Sequence, residues 1–104
     1  MAKSSYEIHM DFGRAKEQAK RLDEIARDIN RAADSTLGSA LSGISMAWNS
    51  NSSSDYIKKG RKVQEELRKR ARELSDTASA VRNIAKNTYD AEMRAYQLAK
   101  TRKY

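Results

Sequence analysis

The sequence predicts an all-α protein, and three observations support this fold class. The 104 residues contain no proline and only four glycines, so long stretches lack the residues that interrupt helices. Apolar residues recur at intervals of three and four along two long segments. One cluster of serines and asparagines separates these segments. We therefore expect one domain, residues 1–104, in which two helices form an antiparallel hairpin.

The first helix is expected over residues 11–47. Asp11 is a candidate N-cap, because its carboxylate can accept a hydrogen bond from a free amide of the first turn. Ile25 and Leu41 widen an apolar stripe that runs along one side of this helix. The stripe consists of Phe12, Ala15, Ala19, Leu22, Ala26, Ile29, Ala33, Leu37, Ala40 and Ile44.

The turn is expected over residues 48–54. It begins with Trp48, the only tryptophan, and continues through five serines and asparagines at 50–54. Such side chains bond to their own backbone and compete with helix formation. Two roles remain open for Trp48: it closes the loop end of the core, or it faces a partner protein.

The second helix is expected over residues 55–101, with Ser54 or Asp55 as its cap. Gly60 lies on its apolar stripe, where the absence of a side chain lets another helix come close. The stripe consists of Ile57, Gly60, Val63, Leu67, Ala71, Leu74, Ala78, Val81, Ile84 with Ala85, Thr88, Ala91, Ala95 and Leu98.

The core of one such hairpin is expected to be small. Only 38% of the residues are apolar, and many of these are alanine. Stripes this wide are buried most easily when two hairpins form a four-helix bundle. The residues expected to hold the hairpin or the bundle together are Phe12, Leu22, Ile25, Ile29, Leu37, Leu41, Ile44, Leu67, Leu74, Val81 and Ile84.

The sequence contains none of the motifs that typify catalytic or metal-binding sites. There is no cysteine, and the one histidine, His9, has no second ligand at metal-binding spacing. The Gly-x-Ser-x-Gly and phosphate-loop motifs are absent. We therefore expect no enzyme activity, no cofactor and no metal. No apolar run has the ~20 residues that span a bilayer, and no ordinary signal peptide is present, so membrane insertion is not expected.

The net charge of +7 lies entirely in the second half of the chain. Residues 58–72 contain eight basic and two acidic residues. This run is typical of a solvated helix face, but it also allows the alternative of a nucleic-acid-binding protein. Glu65 and Glu66 interrupt the run and no aromatic residues alternate with it, which disfavours that alternative. A peripheral membrane helix is disfavoured too, since the faces opposite the charges are rich in alanine.

The chain has Trp48 at mid-chain, between two helices with apolar stripes, and in this it resembles the WXG family of type VII secretion. The resemblance covers nearly the whole chain. The Trp-x-Gly turn motif of that family corresponds here to Trp48, Asn49 and Ser50, with serine in place of glycine. The family also carries a C-terminal export signal, Tyr-x-x-x-Asp/Glu. Its strict form is absent, and Tyr89 with Glu92 is a degenerate candidate at a spacing of three.

This resemblance implies that the protein acts by helix–helix binding. Its function would be that of a small type VII secretion substrate, or of a helical targeting partner of a larger LXG-type effector. The implied partners are a second copy or a similar hairpin, the N-terminal helical domain of a secreted toxin, and the type VII export ATPase. The protein would be cytoplasmic before export and then secreted or surface-bound, by a route that needs no signal peptide.

Overall fold

The computed structural model describes residues 3–48 and 51–102, and nearly all of these residues are helical. Helix α1 spans Ser5–Arg31, a π-helical segment spans Ala32–Leu37, helix α2 spans Gly38–Ala47, and helix α3 spans Asn51–Thr101. No strand occurs in these ranges, and the all-α prediction is confirmed.

The first helix begins at Ser5, six residues before the predicted start at Asp11. The hydroxyl of Ser4 accepts a hydrogen bond from the backbone N–H of Glu7 at 3.1 Å. A serine followed three residues later by glutamate is a typical helix start, and it caps α1 here. Asp11 is therefore not the N-cap but lies within the helix, and the added turns bring Ile8 into the core, where it is 2% exposed.

The last helix also begins earlier than predicted. Asn51 to Ser54 belong to α3, so the turn predicted over residues 48–54 is shorter, and neither Ser54 nor Asp55 caps the helix. Ser53 is only 3% exposed. Tertiary packing of this first turn outweighs the weak helix propensity of serine and asparagine.

The π-helical segment shifts the buried face of the helix by one residue. Buried Ala19, Ala26 and Ala33 recur every seven residues, but the next buried residue, Leu41, comes eight residues after Ala33. A π turn holds one residue more than an α turn and absorbs this extra position. Ala40, predicted on the stripe, is consequently exposed.

Two compact units are defined by the contacts of the chain. Unit 1 comprises Met1–Leu22 and Asp76–Tyr104, and unit 2 comprises Asp23–Ser75. In unit 1 the buried residues are Ile8, Ala19 and Ala78. The two alanines have no exposed surface, and side chains this small allow two helix backbones to approach closely.

Unit 2 buries Ala26, Ala33, Leu41 and Ala71, together with the polar residues Ser53 and Gln64. The side chain of Leu41 lies directly over Gly60, in contact with the position that a β-carbon would occupy. The close approach predicted at Gly60 is thus confirmed, and its occupant is Leu41.

Candidate protein-binding surfaces

The residues predicted to hold the hairpin or bundle together differ widely in exposure. Leu41 is 4% exposed, whereas Ile25 is 48% and Ile84 is 65% exposed. The others are half-buried, namely Phe12, Leu22, Ile29, Leu37, Ile44, Leu67, Leu74 and Val81. Helix pairing within each unit therefore leaves much of this apolar surface in contact with solvent.

An apolar groove of about 300 Å³ lies in unit 1, and we call it the unit 1 groove. Three of the residues predicted to hold the hairpin together and both candidate export residues line it, namely Phe12, Val81, Ile84, Tyr89 and Glu92. The structure thus brings the candidate export residues together with part of the predicted packing face. The sequence reasoning missed Ile8, which also lines the groove, because the predicted helix started too late.

Tyr89 is fixed on one wall of the unit 1 groove by aromatic contacts. Its ring stacks on that of Phe12, with centroids 4.6 Å apart and planes 24° apart. Its hydroxyl lies 3.3 Å from Nδ1 of His9. Such ring pairs add stabilisation beyond the apolar area they bury, so Tyr89 is a packed residue of the groove.

The charged side chains at the rim of the unit 1 groove form an ion triad. Nζ of Lys3 lies 2.7 Å from Oδ2 of Asp11 and 2.9 Å from Oε2 of Glu92. The hydrogen bond from Lys3, with its positive charge, lowers the pKa of Asp11. The two carboxylates in turn raise the pKa of Lys3 above its ordinary value. Glu92 of the candidate signal is therefore held by Lys3.

Replacing Lys3 with methionine is expected to return the pKa of Asp11 most of the way to its ordinary value, with Arg14 keeping a smaller part of the decrease. Because the folded-state pKa of Asp11 is lowered, its stabilising contribution is present above the ordinary aspartate pKa and lost as pH falls through the lowered value. The contribution of Lys3 is present below the ordinary lysine pKa and lost as pH rises through the raised value.

An NMR titration of the Asp11 carboxyl carbon measures this shift. Lys20→Met removes the same charge from an exposed position of α1 and should leave the titration of Asp11 unchanged. If Asp11 keeps its low pKa in Lys3→Met, the ion triad is not what lowers it.

Trp48 ends α2 and lies in unit 2. Its backbone is extended, with φ −135° and ψ 96°, and its N–H donates a hydrogen bond to the carbonyl of Ile44 at 2.9 Å. Its ring packs against Tyr56 with centroids 5.7 Å apart, yet the residue stays 45% exposed. Both roles considered for Trp48 are therefore compatible with its position. Asn49 and Ser50, the other residues of the turn motif, lie outside the described residues.

Gln64 is a buried polar residue that the stripe did not include. Its side-chain amide donates a hydrogen bond of 2.7 Å to the carbonyl of Ala33 in the π-helical segment, and its oxygen accepts one from Arg61 at 3.0 Å. Val63, placed on the stripe instead, is 51% exposed. The seven-residue spacing from Gln64 to Ala71 and Ala78 was the signal that could have identified it.

The basic stretch 58–72 divides into paired and unpaired cations. Arg68 donates from Nε to Oδ1 of Asp34 at 2.8 Å, and Arg70 pairs with Glu66 and Glu73. The carboxylates raise the pKa of Arg70, Glu73 contributing most. By contrast, the lysines at 58, 59 and 62 form no ion pair with any described residue. Arg61, Lys69 and Arg72 form no ion pair with a described residue either, so four of the six unpaired cations lie at 58–62 and two lie at the far end of the stretch.

A comparison with family models, curated proteins and solved structures finds no match for this chain.

Proposed function

We propose that the protein is an antiparallel helical hairpin that pairs with a second copy, or with a similar hairpin, as a four-helix bundle. This pairing would serve type VII secretion, either as a small substrate or as the targeting partner of a larger effector. The mechanism is binding between helices and involves no turnover.

The order of contacts within each unit supports an antiparallel hairpin. In unit 2, Ala33 is bonded by Gln64, whereas Leu41, further along the chain, contacts the earlier residue Gly60. In unit 1, Lys3 pairs with Glu92, whereas Phe12, further along the chain, stacks on the earlier residue Tyr89. Numbers that rise along the first helix and fall along α3 are those of an antiparallel pair.

The observation that carries the proposed pairing is the apolar surface left exposed on helices that are already paired. Ile84 is 65% exposed and Leu98 is 57% exposed, and with Ala91 they recur every seven residues on α3 in unit 1. A seven-residue repeat is the pattern of a helix face that packs against another helix. The repeat of Ile84, Ala91 and Leu98 is out of register with that of the buried Ala71 and Ala78, so α3 carries a second apolar face.

The role in secretion depends on the resemblance to the WXG family. Two placements support it: Trp48 stands at the end of α2, and Tyr89 and Glu92 lie on one groove at a spacing of three residues. The α1 residues of the unit 1 groove would then contribute to the surface that an export ATPase or a partner binds.

Replacing Ile84 with glutamate is expected to weaken association of two chains at least tenfold, since a charge would have to be buried at the interface. Sedimentation equilibrium measures this. The native protein should approach twice its chain mass of 11.8 kDa, and the variant should dissociate at higher concentration. Because Ile84 is exposed within the chain, the helicity of the variant by circular dichroism should not change.

Ser79→Glu is the matched control, since Ser79 is exposed on a different face of α3. In cells that produce the protein, export as a pair predicts that Ile84→Glu is retained and that Ser79→Glu reaches the medium. A native chain that stays monomeric alone and with candidate partner hairpins would refute the pairing. If the native chain pairs in vitro but the two variants are exported equally, only the role of pairing in secretion is refuted.

A further inference from the structure

Two exposed aromatic side chains, Trp48 after α2 and Tyr56 in the first turns of α3, contact each other in unit 2, and we call them the aromatic end. Trp48 is 45% exposed and Tyr56 is 61% exposed. The extended backbone of Trp48 and its bond to Ile44 fix where the indole emerges, and Tyr56 supports the ring from the first turns of α3. Large apolar side chains exposed close together mark an interaction surface.

Unpaired cations lie directly beside the aromatic end. Tyr56, Lys59 and Val63 are spaced by three and four residues on α3, so a lysine stands between two exposed apolar side chains on one helix face. Lys62, three residues after Lys59, lies beside this face. Against these lysines and Arg61, residues 51–64 contain one acidic residue, Asp55. Apolar and cationic groups therefore share one surface.

We propose that this surface binds the interface of an anionic phospholipid bilayer. Tryptophan and tyrosine place an apolar ring and a polar N–H or O–H at the level of the headgroups. Lysines reach anionic headgroups while their aliphatic stems lie on the apolar layer. The bulky anchors missing from the alanine-rich helix faces are thus supplied by the aromatic end. No described helix is long and apolar enough to cross the bilayer, so binding is peripheral.

Nucleic acid fits the same surface less well. The two rings contact each other, with centroids 5.7 Å apart, and leave no room for a base between them. Val63, which is 51% exposed, gains nothing from phosphates, whereas an acyl layer buries it. The chemistry of the whole surface therefore favours lipid.

Fluorescence of Trp48, the only tryptophan, tests the proposal on the full chain. Vesicles of phosphatidylcholine mixed with phosphatidylglycerol should shift its emission to the blue, and vesicles of phosphatidylcholine alone should not. Added salt should reverse the shift, because headgroup attraction is screened. The double variant Lys59→Gln, Lys62→Gln should bind the anionic vesicles about twenty-five-fold more weakly, at about fivefold for each lysine.

Lys16→Gln, Lys20→Gln is the matched control, because it removes the same charge from exposed positions of unit 1 and should bind as the native protein does. Circular dichroism confirms that each variant remains helical. Three outcomes would overturn the proposal: unchanged emission with anionic vesicles, equal weakening by both double variants, or a response to single-stranded DNA but not to vesicles. None of these depends on whether two chains pair.

Discussion

Replacing Ala78 with aspartate should lower the free energy of unfolding at neutral pH by about 3 kcal/mol or more, because it buries an unpaired carboxylate. Ala78 has no exposed surface, and Ala19, in the same unit, has none either. Small side chains at both positions leave no room for a carboxylate or for water around it. Urea unfolding followed by circular dichroism measures the loss.

The effect of this substitution should depend on pH in a defined direction. Burial raises the pKa of the new carboxyl in the folded state above its value in the unfolded chain. Below the unfolded value, about 4, the group is neutral in both states and most of the electrostatic cost disappears. The loss of stability should therefore grow as pH rises from about 4 through the raised pKa, and remain constant above it.

Ala80→Asp is the control for composition and helix propensity. Ala80 lies two residues further along α3 and is exposed, so the same change should cost only about 0.7 kcal/mol, the difference in helix propensity. If the two variants have the same urea midpoint of unfolding, Ala78 does not lie in a closely packed helix pair.

The helices were predictable because their period is strong and because no proline interrupts them. The stripe included Ala19, Ala26, Ala71 and Ala78, which are among the most buried residues. Spacing alone did not reveal the π turn, since an apolar residue stands at both candidate positions, Ala40 and Leu41. The choice depends on contacts across the helix pair, which a local pattern does not contain.

The predicted starts of the helices were wrong for a different reason. Ser4 and Glu7 form a recognisable start signal, but the polar residues around them hid the one buried position, Ile8. At the start of α3 the serines and asparagines favoured a turn by local propensity. The burial of Ser53 determines the outcome, and burial is a tertiary effect.

The candidate surfaces were predictable in composition but less so in geometry. Phe12 and Tyr89 were each identified, for packing and for export, yet nothing in their spacing indicated that their rings would stack. Lys3 lay outside the predicted helix, so its ion pairs with Asp11 and Glu92 could not be foreseen. The contacts of Phe12 with Tyr89 and of Lys3 with Glu92 join residues about eighty positions apart or more, which only the fold brings together.

Replacing Gly60 with valine should lower the free energy of unfolding by about 1–3 kcal/mol, the usual cost of overpacking. The side chain of Leu41 occupies the space that a β-carbon at Gly60 would need, and Leu41 is only 4% exposed. Leu41 would have to leave its position, or α3 would have to move away from it. Thermal or urea unfolding of the native protein and the variant measures the change.

Gly43→Val is the matched control, because a β-carbon at Gly43 would meet no atom within 4 Å. Valine has a higher helix propensity than glycine, so this variant should be as stable as the native protein or slightly more stable. In a Leu41→Ala background the effect of Gly60→Val should reverse, since the valine then fills the space that the leucine side chain vacated. If Gly60→Val destabilises both backgrounds equally, the cost does not come from Leu41, and the packing of α2 on α3 at this position is not as described.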